Sequence, residues 1–414
     1  MTETAQFHAV DCQGFAGGFT MGMVQAGFKL VGKKEMKGGF GVANCEANRH
    51  LLGYDWEADV STGEGADWTP VPAHVVFGNP PCSGFSLLSR KDFRGAGSPV
   101  NSCMWAFEDF VARTMPYIAV FESVGQAYSE KGGGRELMQN LRLKLEADTG
   151  VQWNLHHVLH NNASVGGAAI RKRYFWLVSR IPFGIDPLEV TRVPVLDDVI
   201  GDLEGLHSTW ERQPYRRDPS WWARPRRSPD GVVDGHTWRI TPATRRATDL
   251  LTEGGGTHWD QKEIISTVAH RYFDTYGRLP TSWGPRLEQK FQENDWHMGY
   301  NQLIRWRADK MARVITGGGL DLVFHPHEDR TMTHREVARI QGFPDDWRIR
   351  PLRGNSGLHL TWGKGIPVDC GAWIGGWIKR ALEGNPSSYP GEVRGEREWE
   401  YDCTKAYQAV SAER

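Results

Sequence analysis

The feature that most constrains this chain is a series of short apolar runs within its first 180 residues, each followed by a turn or an acid. Residues 7–10 are followed by Asp11, residues 75–77 by Gly78, and residues 118–121 by Glu122. Helix-length segments separate these runs, a spacing that is typical of a parallel α/β sheet. Ligands bind such sheets at the carboxyl ends of the strands. The sequence therefore predicts a site where these runs end.

Composition excludes several classes of protein. The chain has 414 residues, 39% of them hydrophobic and 24% charged, so it can bury a core and form two or three domains. It contains no apolar run of about 18 residues, and its first residues lack the layout of a signal peptide. The six cysteines are scattered without a CxxC pair, which predicts no metal site, no disulfide scaffold and a reducing cytoplasm. A net charge of −1 leaves only a local basic cleft for nucleic acid.

The pattern changes near residue 186 and again near residue 326. We expect an α/β domain over residues 1–185 and a smaller, irregular domain over residues 186–325, whose segment 207–250 has nine arginines, five acids and several tryptophans. In the third segment, residues 326–382, Thr333 and Glu336 form an S/T-x-x-E capping box that predicts a helix up to about Gln341. Residues 383–414 are polar and acidic, and we expect them to be a surface tail.

A glycine-rich turn follows the first apolar run and opens a predicted helix. It reads Asp11-Cys12-Gln13-Gly14-Phe15-Ala16-Gly17-Gly18, and such a turn lets backbone N–H groups approach a nucleotide-like ligand. Glu35 lies at the end of the next apolar run. Its distance along the chain from the glycine-rich turn is one at which an acid can bind ribose hydroxyls. A plain strand-to-helix turn remains the alternative at this point.

Three further groups carry possible chemistry. Cys82 follows a diproline, which stiffens the backbone that presents its thiol, although most cysteines are inert core residues. Glu122 ends a buried run, where burial can hold a carboxyl group protonated. Arg171-Lys172-Arg173 is either a solvated basic turn or an anion clamp.

The ordered set of motifs resembles the DNA cytosine-5 methyltransferases over nearly the whole chain. Residues 11–18 resemble the cofactor loop, Pro80-Pro81-Cys82 the nucleophile motif, Glu122-Ser123-Val124 the Glu-Asn-Val motif and Arg171-Lys172-Arg173 the Arg-x-Arg motif. Residues 330–344 resemble the ninth motif, and residues 363–368 the tenth, Gly-Asn-x-Val-Pro. The arginine- and tryptophan-rich segment lies where this family keeps its target-recognition domain.

The resemblance implies a Rossmann-like class I S-adenosylmethionine-dependent methyltransferase fold with a smaller, irregular target-recognition domain. It implies double-stranded DNA as the substrate, a cytoplasmic monomer in a bacterial or phage-infected cell, and no membrane or metal. The implied catalytic residues are Cys82, Glu122, Arg171 and Arg173. The implied cofactor-binding residues are Asp11, Gly14, Phe15, Gly17, Gly18, Glu35, Met36, Asp59, Pro80 and Lys364.

The family's chemistry explains these residue types. The Cys82 thiolate adds to C6 of a flipped-out cytosine and makes C5 nucleophilic, while Glu122 protonates the N3 edge and the arginines stabilise the O2 side. C5 then takes the carbon on the sulfonium of S-adenosyl-L-methionine, and loss of the C5 proton expels Cys82. A tRNA cytosine-5 methyltransferase and a catalytically silent DNA-binding protein remain alternatives.

The chain departs from the family pattern around the cofactor. Gln13 and Phe15 replace an aromatic residue and a glycine of the loop, Ser83 and Ser123 replace Gln and Asn, and Lys364 replaces the Asn of the tenth motif. An ammonium 4–6 Å from a sulfonium costs about 1 kcal/mol in water and several at an effective dielectric near 20. Lys364 therefore indicates an alternative donor, carboxy-S-adenosyl-L-methionine, whose carboxylate an ammonium would attract. The product of this donor would be 5-carboxymethylcytosine.

Overall fold

The computed structural model describes residues 6–37, 39, 41–53, 60–86, 91–203, 227–228, 231–232, 304–315, 323–327, 332–348, 362–384 and 398–411, with single positions and short stretches between 270 and 292. The chain divides into two compact units. The first comprises Met1–Val193, Gln341–Phe343 and Gly365–Arg414, and the second comprises Pro194–Ile340 and Pro344–Lys364.

The first unit is built on an eight-stranded sheet. Its strands are β1 (His8–Cys12), β2 (Lys29–Met36), β3 (Val60–Gly63), β4 (Val75–Gly78), β5 (Ile118–Val124), β6 (Asn154–Asn161), β7 (Lys172–Ser179) and a C-terminal strand, Glu398–Asp402, numbered β12 below because four short strands of the second unit precede it. The strand order is β12-β6-β7-β5-β4-β1-β2-β3. The strand β1 therefore lies inside the sheet, between β4 and β2.

Helices lie between the strands. They are α1 (Gly18–Gln25), α2 (Gly41–Ala47), α3 (Arg49–Leu52), α4 (Ser102–Thr114) and α5 (Gly134–Thr149), and, after the second unit's α6 (Leu196–Ile200) and α7 (His334–Ile340), α8 (Val368–Leu382) and α9 (Gln408–Ser411). The core consists of the apolar faces of the central strands, with Val10, Val76 and Phe121 fully buried. This arrangement is the α/β fold expected from the sequence.

The sheet is mixed, whereas the apolar runs alone predict a parallel one. The strands β1, β2, β3, β4 and β5 pair in parallel, but β7 runs antiparallel to both β5 and β6. Only residues 162–171 connect β6 to β7. A parallel crossover needs a dozen or more residues, so this short connection forces the chain to reverse direction.

The expectation that residues 383–414 form a surface tail is wrong for the part of this segment that the structure describes. Residues 398–402 form the edge strand β12, parallel to β6. Trp399 and Tyr401 alternate with acids, and both aromatic side chains are buried. The alternation is the period-2 pattern of a half-buried strand, and the acidic composition of the segment hides it.

The helices α1 and α8 pack closely through glycines. A Cβ atom placed on Gly22 of α1 would lie 2.5 Å from the carbonyl oxygen of Val368 and 2.6 Å from the carbonyl carbon of Gly371. A Cβ atom on Gly371 would in turn lie 3.1 Å from the Cα atom of Phe19. The helix that follows the glycine-rich loop is thus held directly against the helix that follows the tenth motif.

The second unit contains α6, α7 and four strands of two residues, β8 (Arg227–Ser228), β9 (Gly231–Val232), β10 (Ile304–Arg305) and β11 (Val323–Phe324). The predicted capping box is confirmed at the start of α7: Thr333 N donates to Glu336 Oε2 at 2.8 Å, and Glu336 N donates to Thr333 Oγ1 at 3.1 Å. The tryptophans at 210, 221, 222 and 238 lie outside the described residues. Among the described helices, none combines the length and the apolar character needed to cross a bilayer.

Candidate active site

The nucleophile candidate lies after β4. Residues 79–81 lead from Gly78 to Cys82, which precedes a single 3-10 turn, Ser83–Phe85. The turn is closed by a hydrogen bond from Phe85 N to Cys82 O of 3.0 Å. Because β4 pairs in parallel with β5, with Gly78 opposite Phe121, the segment carrying Cys82 and the end of β5 lie at the same edge of the sheet.

Glu122 is the next residue of β5, and its side chain is fully buried. Arg173 Nε lies 2.5 Å from Glu122 Oε1, and the side-chain amide of Asn79 donates to Glu122 Oε2. Burial raises the pKa of the Glu122 carboxyl, while Arg173, Arg171 and Asn79 act in the opposite direction. The carboxyl group is therefore inclined to hold a proton, in a position fixed from two sides.

The Cys82 thiol shares this environment. Burial raises its pKa, the nearby Glu122 raises it further, and Arg173 opposes both. The thiolate is the nucleophilic form of cysteine. The field of Arg173 is thus the main charge favouring the reactive state, and Arg173 acts on both Cys82 and Glu122.

Arg171 is placed differently from Arg173. Its guanidinium is buried, and Nη2 donates to the carbonyl oxygen of Gly365 at 2.6 Å, while its backbone N donates to Asn161 Oδ1 at 2.9 Å. Burial, with the nearby Arg173 charge, lowers the pKa of Arg171 to about 9, so it stays charged near neutral pH. Arg171 ties the start of β7 to the backbone of the tenth motif.

A second cluster lies at the carboxyl ends of β1 and β2. Asp11 Oδ2 accepts hydrogen bonds from Lys33 Nζ and Thr20 Oγ1, each 2.7 Å long. Glu35 is buried, and its two carboxylate oxygens accept from Met36 N at 3.0 Å and Gly41 N at 3.1 Å. Lys33 Nζ lies 4.0 Å from Glu35 Oε2 and so joins the two acids.

The glycine-rich loop between β1 and α1 has an unusual backbone. Gln13 and Phe15 have φ angles of 56° and 50°, in the left-handed region that costs a side chain about 1–2 kcal/mol. Gly17, with φ of 89°, caps α1. Phe15 therefore adopts a conformation that glycine favours and a bulky side chain does not.

Sequence comparison decides the relationship of this chain to known proteins. The profile of the family described as C-5 cytosine-specific DNA methylase matches residues 7–380. The chain belongs to the C-5 cytosine-specific DNA methylase family.

The aligned parts of individual relatives are 22–25% identical to this chain. The Type II methyltransferase M.PspPI of Psychrobacter sp. (strain TA137) is 24% identical over 90% of this chain and 78% of its own length. The Type II methyltransferase M.MthTI of Methanothermobacter thermautotrophicus is 22% identical over 89% of this chain and 96% of its own. DNA (cytosine-5)-methyltransferase 1A of Oryza sativa subsp. japonica is 24% identical, and the chain spans only 22% of its length.

Solved structures share the fold. A structure described as a DNA modification methyltransferase encoded within an E. coli prophage superposes with a TM-score of 0.60, at 15% identity over 91% of this chain and all of that one. The methyltransferase EhMeth of Entamoeba histolytica gives a TM-score of 0.51 at 10% identity, over 92% of this chain and 99% of that one. These identities show the methyltransferase fold alone.

The first unit contains polar groups that fit the S-adenosylmethionine implied by this methylase family. The buried oxygens Asp11 Oδ1 and Gln13 Oε1 have no hydrogen-bond partner among the described residues, so they are free to accept from a ligand. A Cβ atom on Gly14 would overlap the Lys33 ammonium and the Asp11 carboxylate, so the loop approaches this cluster through bare backbone. These features fit a nucleoside-type ligand that offers donors to buried acceptors.

The structure brings some of the predicted residues together and leaves others apart. One group contains Cys82, Glu122 and Arg173, with Pro80 in the preceding turn. The second group surrounds the glycine-rich loop and the carboxyl ends of β1 and β2, and it contains Asp11, Gly14, Phe15, Gly17, Gly18, Glu35 and Met36. Asp59 lies outside the described residues. The side chain of Lys364 is exposed, and Lys364 is the last residue of the second unit.

Sequence reasoning missed two residues of these groups, Lys33 and Asn79. A signal for the first was present, because Lys33 and Lys34 directly follow the apolar run that starts at Leu30. Both side chains are fully buried, which is rare for lysine without a partner. No pattern in the sequence marks Asn79, since its role depends on the neighbouring strand.

Proposed function

We propose that this chain is a DNA cytosine-5 alkyltransferase that flips a cytosine out of double-stranded DNA and transfers a one-carbon group to its C5 atom. The observation that supports this most directly is the grouping of Cys82 with the buried Glu122–Arg173 pair at one edge of the sheet. A thiol, a carboxyl group inclined to hold a proton and a guanidinium are the groups that nucleophilic activation of cytosine requires.

Each group has a distinct task. Cys82 adds to C6, which makes C5 enamine-like. Glu122, whose pKa burial raises, donates a proton to N3 as electron density moves into the ring. Arg173 stabilises the thiolate before addition and the charge on the pyrimidine after it. Asn79 keeps Glu122 from rotating away. After C5 has bonded to the transferred carbon, a base removes the C5 proton, and the Cys82–C6 bond breaks to release the Cys82 thiolate.

The donor is an S-adenosylmethionine-type molecule, which supplies an electrophilic carbon on a sulfonium. Glu35 lies where it can accept from the ribose hydroxyls, and the unpartnered oxygens of Asp11 and Gln13 can accept further hydrogen bonds. The loop backbone from Gly14 to Gly18 lets the donor approach closely. Binding and orientation are the contributions of these residues.

A second candidate for the donor rests on Lys364. This lysine occupies the family's Asn position and immediately precedes Gly365, whose carbonyl Arg171 holds at 2.6 Å. A donor carrying a carboxylate on the transferred carbon, carboxy-S-adenosyl-L-methionine, would gain a charge-assisted hydrogen bond from such an ammonium. The product would then be 5-carboxymethylcytosine instead of 5-methylcytosine.

Target choice is assigned to the segment 186–325, where arginines can bind guanine edges and phosphates and tryptophans can stack on bases. The proposal includes a monomeric protein acting in the cytoplasm. Action on tRNA is the competing substrate class, and the size of this arginine- and tryptophan-rich segment favours DNA. Replacing the segment with that of a relative is expected to change the modified sequence, and an unchanged sequence after a folded exchange refutes this assignment.

The chemistry is tested with a duplex that carries 5-fluorocytosine and with mass spectrometry of the modified nucleosides. An active enzyme forms a covalent adduct that Cys82→Ala abolishes, whereas Ser86→Ala, on the same loop, keeps it. Supplying both donors separately distinguishes methyl from carboxymethyl transfer, and Lys364→Asn is expected to shift the preference towards S-adenosyl-L-methionine. Full adduct formation by Cys82→Ala overturns the mechanism; methyl transfer alone, unchanged by Lys364→Asn, overturns the second donor.

A further inference from the structure

Lys33 is a buried cation that the proposed chemistry does not use. Its side chain is fully buried on β2, directly opposite Asp11 in the parallel register of β1 and β2. Its ammonium nitrogen lies 2.7 Å from Asp11 Oδ2 and 4.0 Å from Glu35 Oε2. One cation therefore serves two carboxylates that belong to different motifs.

Three segments of the chain converge on this ammonium. A Cβ atom on Gly41, at the start of α2, would lie 3.0 Å from Lys33 Nζ and 3.1 Å from the backbone N of Phe15. A Cβ atom on Gly14, in the glycine-rich loop, would overlap the ammonium itself. Bare backbone on both sides thus packs against Lys33, and the position of the ammonium determines how the loop, β2 and α2 meet.

The electrostatics explain why Glu35 needs this cation. Burial raises the pKa of Glu35, and Asp11 raises it too; Lys33 and the backbone N–H groups of Met36 and Gly41 lower it. Burial by itself lowers the pKa of Lys33, but Asp11, Cys45 and Glu35 together more than offset this and raise it. The Cys45 thiol on α2 is neutral because burial raises its pKa to about 12, and burial also raises the pKa values of the neighbouring Cys12 and Cys103 thiols. The cluster carries a net charge of −1 with Lys33 and −2 without it.

We propose that Lys33 is a positioning residue for recognition of the donor's ribose: it keeps Glu35 ionised and aligned so that both carboxylate oxygens can accept from the ribose diol. The proposal rests on the proposed use of an S-adenosyl donor. Without the cation, Glu35 takes up a proton and loses acceptor capacity, since a protonated carboxyl group is a donor at one of its two oxygens.

Lys34 offers a matched control. It is the neighbouring residue, it is also fully buried, and it lies on the opposite face of β2, with its ammonium 6.0 Å from the ring centroid of Phe110. Substituting either lysine removes one buried positive charge from the same strand. Only Lys33 contacts Asp11 and Glu35.

The test measures binding of S-adenosylhomocysteine and of its 2′,3′-dideoxyribose analogue by isothermal titration calorimetry. Lys33→Gln is expected to weaken binding of the ribose form by about 10–100-fold at pH 7 and that of the dideoxy analogue by less than about threefold, since one charged hydrogen bond sets this range. Lys34→Gln is expected to change neither by more than about threefold. In Lys33→Gln alone, affinity for the ribose form rises with pH as Glu35 ionises.

A double substitution shows whether Lys33 acts through Glu35. If it does, Glu35→Gln/Lys33→Gln binds as weakly as Glu35→Gln alone. Equal losses for both ligands, or additive losses in the double variant, overturn the proposal. Should Lys33→Gln not fold, Lys33→Met, which keeps the length of the side chain without its charge, is expected to lose ribose selectivity in the same way, and retained selectivity overturns the proposal equally. Failure of the unmodified protein to bind either ligand refutes the S-adenosyl donor itself.

Discussion

Exchange of Gly22 for alanine tests the packing of α1 against α8. A Cβ atom on Gly22 would lie 2.5 Å from Val368 O and 2.6 Å from the Gly371 carbonyl carbon, about 1 Å inside ordinary van der Waals contact. These are backbone atoms of a neighbouring helix, so they cannot rotate away as a side chain does. The two helices must separate or shift.

The magnitude follows from two opposing effects. Alanine gains about 1 kcal/mol over glycine within a helix. Overpacking a buried contact costs about 1–3 kcal/mol, and more where backbone must move. We therefore expect Gly22→Ala to lower the free energy of unfolding by about 1–2 kcal/mol despite its better helix propensity.

The matched control is Gly376→Ala on α8, where an added Cβ atom would meet no heavy atom within 4 Å. This substitution is expected to raise the free energy of unfolding by about 0.5–1 kcal/mol through helix propensity alone. Urea unfolding followed by circular dichroism measures both values. Equal signs for the two substitutions refute the argument that α1 and α8 are in backbone contact at Gly22.

Three further predictions concern a buried acid, a helix cap and the catalytic carboxyl group. Burial raises the pKa of Glu108 to about 7, so the contribution of Glu108 to the free energy of unfolding falls as pH rises from 4.5 to 7. Because its partner Lys144 is 40% exposed, we expect this fall to be only about 1–2 kcal/mol and to be absent in Glu108→Gln, measured by urea unfolding at pH 5 and 8. Thr333→Ala breaks the capping box of α7 and is expected to lower the free energy of unfolding by about 1 kcal/mol, measured by thermal unfolding. Thr333→Ser keeps the capping hydroxyl and is expected to keep most of this stabilisation. Asn79→Ala removes a donor to the Glu122 carboxylate and is expected to raise the pKa of that carboxyl group further, so the basic limb of the pH–rate profile moves to higher pH; an unmoved limb contradicts the role of Asn79.

The sequence determined the local features of this protein. The apolar runs at residues 7–10, 75–77 and 118–121 predicted β1, β4 and β5. The capping box formed as predicted because its hydrogen bonds join residues three positions apart, and the order of motifs predicted the family because those motifs carry its chemistry. These features depend on neighbours along the chain.

Only the tertiary structure decided which residues from distant segments meet. The direction of β7 depends on the length of its connection to β6. The burial of β12 depends on pairing with β6, which lies some 240 residues earlier in the chain, as the hydrogen bond between His157 and Glu398 shows. Lys33 and Asn79 gained their partners in the same way, each from another strand or motif. A charge can be buried only where an opposite charge or a donor already lies within reach, and that proximity is set by how the strands pair, which no single segment of sequence specifies.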